Sequence, residues 1–100
     1  MSFINILIVT VALGCAGITP HENFMDSLKN AIGRSLDNKP SYLWPHEEDL
    51  IDSKTLPNGN IENRYKYLRT CKYIFEIDPK TRTIVAARFE GKESDCVINP

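Results

Sequence analysis

The sequence predicts an α+β fold in which an N-terminal helix packs on a three-stranded antiparallel β-meander. Three observations lead to this prediction. Apolar residues recur at helical spacing over residues 20–32, apolar and charged residues alternate over residues 61–89, and a proline-containing turn divides the alternating region. The chain has 100 residues, enough for one small domain behind an N-terminal signal. We therefore expect a signal peptide of the lipoprotein type over residues 1–14 and a single domain over residues 15–100.

An apolar run from Phe3 to Leu13 ends in the small residues around Cys15. It is too short to span a bilayer, which takes about 20 apolar residues, but it suits a secretory signal core of roughly 7–15 residues. Cleavage before Cys15 would make that cysteine the acylated N-terminus of a bacterial lipoprotein. Ala12 and Leu13 stand in the reverse of the preferred order, and no Lys or Arg precedes the run. A plain signal peptide cleaved after a small residue is therefore the alternative.

Residues 19–33 carry the signals of a helix with both ends defined. Thr19 can serve as N-cap, Pro20 suits the first helical position, and Glu22 completes a capping box. Gly33 then favours termination. The helix is expected to span Pro20 to Ile32 and to bury one apolar stripe against the sheet. The stripe consists of Phe24, Leu28, Ala31 and Ile32.

Residues 34–57 are predicted to be irregular, because Pro40 and Pro45 exclude a continuous helix. One or two helical turns are expected over residues 45–51, where a proline precedes three acidic residues. Residues 56–60 form a turn cluster that would lead into the first strand. Four large apolar residues are expected to pack at the edge of the core: Leu43, Trp44, Leu50 and Ile51.

Three strands are predicted from the alternation of apolar and charged residues. In the first, over residues 61–67, an isoleucine and two tyrosines would face the core. The second runs from Cys71 to Ile77, and its aromatic and β-branched content suits a pleated surface. Asp78 and Pro79 favour a turn, after which the third strand would return over residues 83–89.

The chain has three cysteines. If Cys15 is lipidated, Cys71 and Cys96 remain as an even pair, and an oxidising periplasm would let them form a disulfide. By the chain-entropy model this bond would stabilise the domain by about 3.5 kcal/mol. Two reduced, buried thiols are the alternative. A metal site is not expected at either cysteine, because neither has a Cys or His at ligand spacing.

Four basic side chains are expected to share the side of the sheet that faces solvent. We interpret them as a candidate docking surface for an acidic partner protein or for anionic lipid headgroups. An ordinary solvated face is the alternative. The four residues are Arg64, Lys66, Lys72 and Arg88.

No motif in the sequence indicates an enzyme, a cofactor or a metal centre. There is no Gly-x-Ser-x-Gly elbow and no phosphate-binding glycine loop. His46 precedes three acidic residues, but no second histidine follows at helical spacing, and His21 is expected to be solvated in the first helical turn. With 12 Lys and Arg against 13 Asp and Glu, the chain has no excess positive charge for nucleic-acid binding.

Several segments together carry a resemblance to a known group of proteins. They are Phe24-Met25-x2-Leu28-x3-Ile32-Gly33, Leu56-Pro57-Asn58-Gly59-Asn60, Cys71-x3-Phe75-Glu76-Ile77-Asp78, and Ala87-Arg88-Phe89-Glu90-Gly91 with Cys96. In these segments the chain resembles small proteobacterial envelope lipoproteins, and its α–β–β–β layout is similar to that of the SmpA/OmlA group. The resemblance implies an accessory lipoprotein of the outer-membrane barrel-assembly machine. The same layout recurs in β-lactamase inhibitor proteins.

The expected function is therefore that of a non-enzymatic accessory or structural binding module at the outer membrane. Ala16, directly after the lipidated cysteine, resembles an outer-membrane sorting signal. The domain would face the periplasm, with the membrane and an envelope protein as its partners and with no nucleic acid. A periplasmic inhibitor or immunity protein that binds a toxin or a hydrolase is the alternative.

Overall fold

The computed structural model describes residues 18–37 and 45–99. They form the helix α1 (Pro20–Ala31), a 3₁₀ turn (Glu47–Asp49) and four strands. The strands β1 (Leu50–Thr55), β2 (Ile61–Lys66), β3 (Lys72–Asp78) and β4 (Thr83–Glu90) make one antiparallel sheet in the order β1-β2-β3-β4. The predicted three-stranded meander is wrong, because β1 adds a fourth strand. A helix with an antiparallel sheet is compatible with the predicted α+β class.

Both ends of α1 are fixed by the residues that the sequence singled out. The Glu22 amide donates to the Thr19 hydroxyl at 3.1 Å, and the Thr19 amide donates to the Glu22 carboxylate at 3.0 Å, which completes the predicted capping box. Gly33 follows the helix at φ +90°, a backbone conformation that favours glycine. Its amide donates to the Ile84 carbonyl at 2.7 Å, so the end of the helix is tied to β4.

The strand β1 lies in the region predicted to be irregular. All six of its residues are exposed, so its sequence has no apolar alternation to reveal it. In place of the one or two helical turns predicted over residues 45–51, the structure has the 3₁₀ turn just before β1. Leu50 and Ile51 are 38% and 43% exposed, so their predicted packing role is wrong. Leu43 and Trp44 lie outside the described residues.

The turn cluster at residues 56–60 joins β1 to β2 as a hairpin loop. The Leu56 amide donates to the Asn60 carbonyl at 2.8 Å, and the Gly59 amide donates to the Leu56 carbonyl at 2.9 Å. Gly59 has φ +89°, which suits an Asn-Gly turn. The cluster thus closes a strand pair instead of simply leading into the first strand.

The core lies between α1 and one face of the sheet. Phe24 and Leu28 are buried there, and the rings of Tyr65 and Tyr73 stack with centroids 5.1 Å apart. Ile32 is 45% exposed, so its predicted place in the buried stripe is wrong. It is the C-cap of the helix and has extended backbone, which takes it off the helical stripe. The core residues are Phe24, Leu28, Ala31, Tyr65, Cys71, Tyr73, Phe75, Ile77, Ile84 and Cys96.

The C-terminal segment, residues 92–99, is held against the start of α1. The predicted disulfide between Cys71 and Cys96 is confirmed, with Cα atoms 5.3 Å apart. The Ile98 amide donates to the Pro20 carbonyl at 3.0 Å, and His21 Nδ1 lies 2.8 Å from the Cys96 carbonyl oxygen. His21 is therefore half-buried and hydrogen-bonded, which corrects its predicted solvated position.

Candidate binding surface

The strand register brings all four predicted basic residues onto one face of the sheet. We call this surface, on the side opposite α1, the outer face. Lys66 pairs with Lys72 across β2 and β3, and Arg64 and Arg88 pair with Ile74 from its two sides. These positions alternate along their strands with the buried Tyr65 and Tyr73. The role of the four residues in binding a partner stays a prediction.

Acidic side chains from other strands compensate the two arginines. Arg64 forms ion pairs with Asp52 on β1 and with Glu90 on β4, the latter at 3.2 Å. Arg88 forms an ion pair with Glu62 at 2.9 Å. Lys54 also lies 3.4 Å from the Glu62 carboxylate. This part of the outer face is therefore a network of both signs and carries little net charge.

The ion pairs shift the pKa values of Glu62, Arg64 and Arg88 in the directions that keep these groups charged. The hydrogen bond from Arg88 lowers the pKa of Glu62 below its ordinary value, and the Lys54 charge acts in the same direction. Hydrogen bonds to Asp52 and Glu90 raise the pKa of Arg64. These directions favour the charged forms of Glu62 and Arg64.

The two arginines are also positioned by packing. Ile74 is on the outer face and yet only 1% exposed, and its cross-strand neighbours are Arg64 and Arg88. Long basic side chains cover apolar surface in this way with their aliphatic stems. Arg64 Nε is buried, and it has no hydrogen-bond acceptor among the described residues. Arg64 and Arg88 thus stabilise the sheet, through their ion pairs and by covering Ile74.

The pair of Lys66 and Lys72 differs from the arginines. The two residues are direct cross-strand partners, and like charges in this position are destabilising. The ion pairs found among the described residues do not include either lysine. Lys72 lies opposite Glu90 on β4, whose carboxylate is paired with Arg64, so Lys66 and Lys72 are the two of the four basic residues that form no ion pair among the described residues.

A shallow depression of about 210 Å³ lies over the ion-pair network. Its lining mixes acidic and basic side chains, so it does not select a ligand of one charge. Among residues 18–37 and 45–99, no group of three or more His, Cys, Asp or Glu side chains is placed to hold a metal ion. In the same part of the chain, no helix has both the length and the apolar character needed to cross a membrane. The depression is lined by Asp52, Ser53, Lys54, Glu62, Arg64, Arg88 and Glu90.

The sequence reasoning identified the basic members of the outer face but missed their acidic partners on other strands. Asp52 and Lys54 were missed because β1 was missed. Glu62 alternates with Tyr65 along β2, which places it on the outer face, but its contact with Arg88 depends on the register of three strands. Glu90 lies one residue beyond the predicted third strand, residues 83–89, but it is the last residue of β4.

Comparisons of the chain with protein-family models, with curated proteins and with solved structures found no match.

Proposed function

We propose that this protein is a non-enzymatic lipoprotein of the cell envelope, anchored through Cys15 in the outer membrane and facing the periplasm. In this role its sheet is an accessory binding module for another envelope protein. The observation that carries the proposal is the pairing of the cysteines. The disulfide takes up Cys71 and Cys96, which leaves Cys15 as the third cysteine of the sequence.

The disulfide supports export, because such bonds persist in oxidising compartments such as the periplasm and are rare in the cytosol. Cys15 supports anchoring, because it follows a short apolar run and precedes Ala16. The first residue of α1 is Pro20, so five peptide steps would separate the domain from its anchor. At about 3.4 Å per residue, the helix would begin within roughly 17 Å of the acylated cysteine.

The outer face supports binding through Lys66 and Lys72. Neither lysine forms an ion pair among the described residues, although Glu90 lies opposite Lys72, and the two lysines lie side by side across two strands. An acidic surface on a partner protein would relieve their mutual repulsion and would gain complementary contacts. Arg64 and Arg88 contribute indirectly, because their ion pairs hold the strands that carry the lysines.

Metabolic labelling with a fatty-acid analogue tests the anchor. The full chain should be labelled and should fractionate with membranes, whereas C15S should lose the label and leave the membrane fraction. The C71A/C96A variant is the matched control, because it removes two cysteines and should still be labelled. Equal labelling of the full chain and C15S would overturn the anchor.

Charge reversal tests the binding module. Crosslinking in the native envelope should capture a partner protein with the wild-type chain and lose it with K66E/K72E. Surface substitutions of this kind change the free energy of unfolding by only about 0.5 kcal/mol. The control K29E/K80E makes the same charge change at two exposed lysines away from the outer face. Equal loss of capture in both variants, or unchanged capture in K66E/K72E, would contradict the assignment of these lysines.

A further inference from the structure

We propose that two copies of this chain associate through the free edge of β1, as an antiparallel strand pair centred on Ser53. Among residues 18–37 and 45–99, the strand β1 is terminal in the sheet, and all its residues are exposed. An exposed terminal strand presents unpaired N–H and C=O groups, which are a template for another strand. This association does not depend on the lipid anchor or on Lys66 and Lys72.

The hairpin fixes which backbone groups of β1 point to the free edge. The Leu56 amide donates to the Asn60 carbonyl, so that pair is hydrogen-bonded within the hairpin. Bonded and non-bonded pairs alternate along antiparallel strands, so Lys54 and Asp52 also bond to β2. The N–H and C=O groups of Ser53 therefore point away from β2. Two Ser53 residues, one from each copy, can then exchange two hydrogen bonds across a two-fold axis.

Charge complementarity selects a second copy as the occupant of this edge. With Ser53 opposite Ser53 of the second copy, Asp52 of each copy lies opposite Lys54 of the other. These are non-hydrogen-bonded pairs, in which the side chains are closest. Both side chains are on the outer face and accessible, with Asp52 51% and Lys54 66% exposed. The dyad thus creates two identical ion pairs.

These new pairs would continue the network that the single chain already contains. Asp52 is bonded to Arg64 on one side, and Lys54 lies beside Glu62. Across the two-fold axis, the order of charges would be Arg64, Asp52, then Lys54 and Glu62 of the second copy. Each charge then has an opposite charge on its neighbouring strand, so the row alternates in sign across both sheets.

The same strand carries features that discourage pairing with other strands. Lys54 is a charged residue in the middle of the edge, and a bulge interrupts the register between Leu50 and Asp52. A strand that places a neutral or basic residue opposite Lys54 gains no ion pair there. The copy in the Ser53-centred register supplies an acid at that position.

A cysteine crosslink in cells that express the full chain tests the register. In the proposed pair, the two Ser53 Cα atoms lie about 5.5 Å apart, within the roughly 4.4–6.8 Å that a disulfide spans. The S53C variant should therefore form a dimer on mild oxidation, visible at twice the monomer mass on a non-reducing gel. The matched control is T55C on the same exposed strand, because its two copies would be separated by about 14 Å along the strands. The T55C variant should remain a monomer.

Two charge variants then test the ion pairs in the S53C background. D52K should place lysine against lysine, and K54D should place acid against acid, so each variant alone should crosslink roughly ten-fold less than S53C. Co-expressed with different tags, D52K and K54D chains should recover the crosslink between the two tags, because their charges are complementary. D52K disturbs the contact with Arg64 and K54D the contact with Glu62, in each variant alone and in the mixture alike, so recovery in the mixture separates the dimer interface from a loss of folding.

Equal crosslinking of S53C and T55C would mean random collision and would overturn the proposal. So would a failure of S53C to crosslink, or a crosslink to a different protein at this position. Absence of recovery in the mixture of D52K and K54D would also overturn the Ser53-centred register.

Discussion

At the scale of single residues, Gly91 occupies a position with no room for a side chain. It has φ +109°, and a Cβ atom added there would lie 2.3 Å from the Thr70 carbonyl oxygen. Thr70 cannot retreat easily, because its hydroxyl and amide both donate to the buried Asp95 carboxylate. The Lys92 amide also donates to the Thr70 hydroxyl at 3.0 Å. Gly91 therefore lets the chain leave β4 and pass directly over the β2–β3 connection.

We predict that G91A destabilises the protein much more than G59A. Both glycines have positive φ, and the conformational penalty for alanine is about 1–2 kcal/mol at each. Only Gly91 also has backbone atoms in the space that the new methyl group would occupy, whereas nothing lies within 4 Å at Gly59. The difference in free energy of unfolding between the variants, measured by urea denaturation, should exceed about 1 kcal/mol. Equal losses would contradict the tight packing at Gly91.

The ion pair of Glu62 predicts how stability depends on pH. The hydrogen bond from Arg88 lowers the pKa of Glu62 from its ordinary value of 4.5. A lowered pKa in the folded state means that the pair stabilises the protein above pH 4.5, and that this contribution is lost as the pH falls through the folded value. The stability difference between wild type and E62Q should thus be constant near neutral pH and should shrink below pH 4.5.

Urea denaturation at several pH values measures this difference, and R88M provides the control. Methionine keeps an aliphatic stem over Ile74 but removes the guanidinium. In the R88M background, the pH dependence of the E62Q effect should be clearly weaker. If the E62Q effect depended on pH equally strongly in the R88M background, the pH dependence would not come from the Glu62–Arg88 pair.

At the scale of elements, the start of α1 is coupled to the C-terminal segment. The capping box fixes the first turn, and the Pro20 carbonyl in that turn accepts the Ile98 amide. The Asn23 side-chain amide donates to the Ile98 carbonyl at 3.2 Å, which adds a second bond to the same residue. Loss of the N-cap should therefore destabilise both the start of α1 and the C-terminal segment.

We predict that T19A lowers the free energy of unfolding by about 1 kcal/mol, whereas T19S, which retains the hydroxyl acceptor, has little effect. Hydrogen exchange provides the specific readout. The Ile98 amide should exchange faster in T19A than in T19S, because its acceptor belongs to the frayed turn. Equal exchange rates in both variants would show that the cap and the C-terminal segment are independent.

At the scale of the whole molecule, the disulfide joins the start of β3 to the C-terminal segment. It closes a loop of sequence separation 25 and carries two fully buried core residues. The segment also depends on single hydrogen bonds, such as the one from the Tyr67 hydroxyl to the Val97 carbonyl at 2.8 Å. The disulfide is therefore the main covalent restraint on how this segment closes the core.

We predict that C71A/C96A lowers the free energy of unfolding by about 3.5 kcal/mol, because the unfolded chain regains the entropy of the open loop. Residues 92–99 should lose hydrogen-exchange protection before the sheet does. A thiol assay on the wild-type protein, denatured without reductant, should find neither Cys71 nor Cys96 reactive. Two reactive thiols in this assay would contradict the bond.

The sequence by itself determined the features that depend on neighbours along the chain or on burial. The capping box of Thr19 and Glu22 involves residues three positions apart, so its pattern is local. Successive side chains of β2, β3 and β4 point to opposite faces of the sheet, and the alternation of apolar and charged residues in the sequence predicted these strands, although Ile74 is buried on the outer face. The cysteine count, with Cys15 assigned to the N-terminal signal, predicted the pair that forms the disulfide.

Only the tertiary structure decided the features that depend on strand register. The strand β1 is exposed throughout and is held by backbone hydrogen bonds to β2, so its sequence has no apolar periodicity. The one sequence signal for it is Asn58-Gly59, a hairpin turn that implies a strand before it. The strand register also determines which charges on the outer face are paired. Arg64 meets Asp52 and Glu90, which are 12 and 26 residues away along the chain, because antiparallel pairing aligns them. Alternation assigns a side chain to a face, but only the register assigns its neighbours, and Lys66 and Lys72 are the two predicted basic residues that form no ion pair among the described residues.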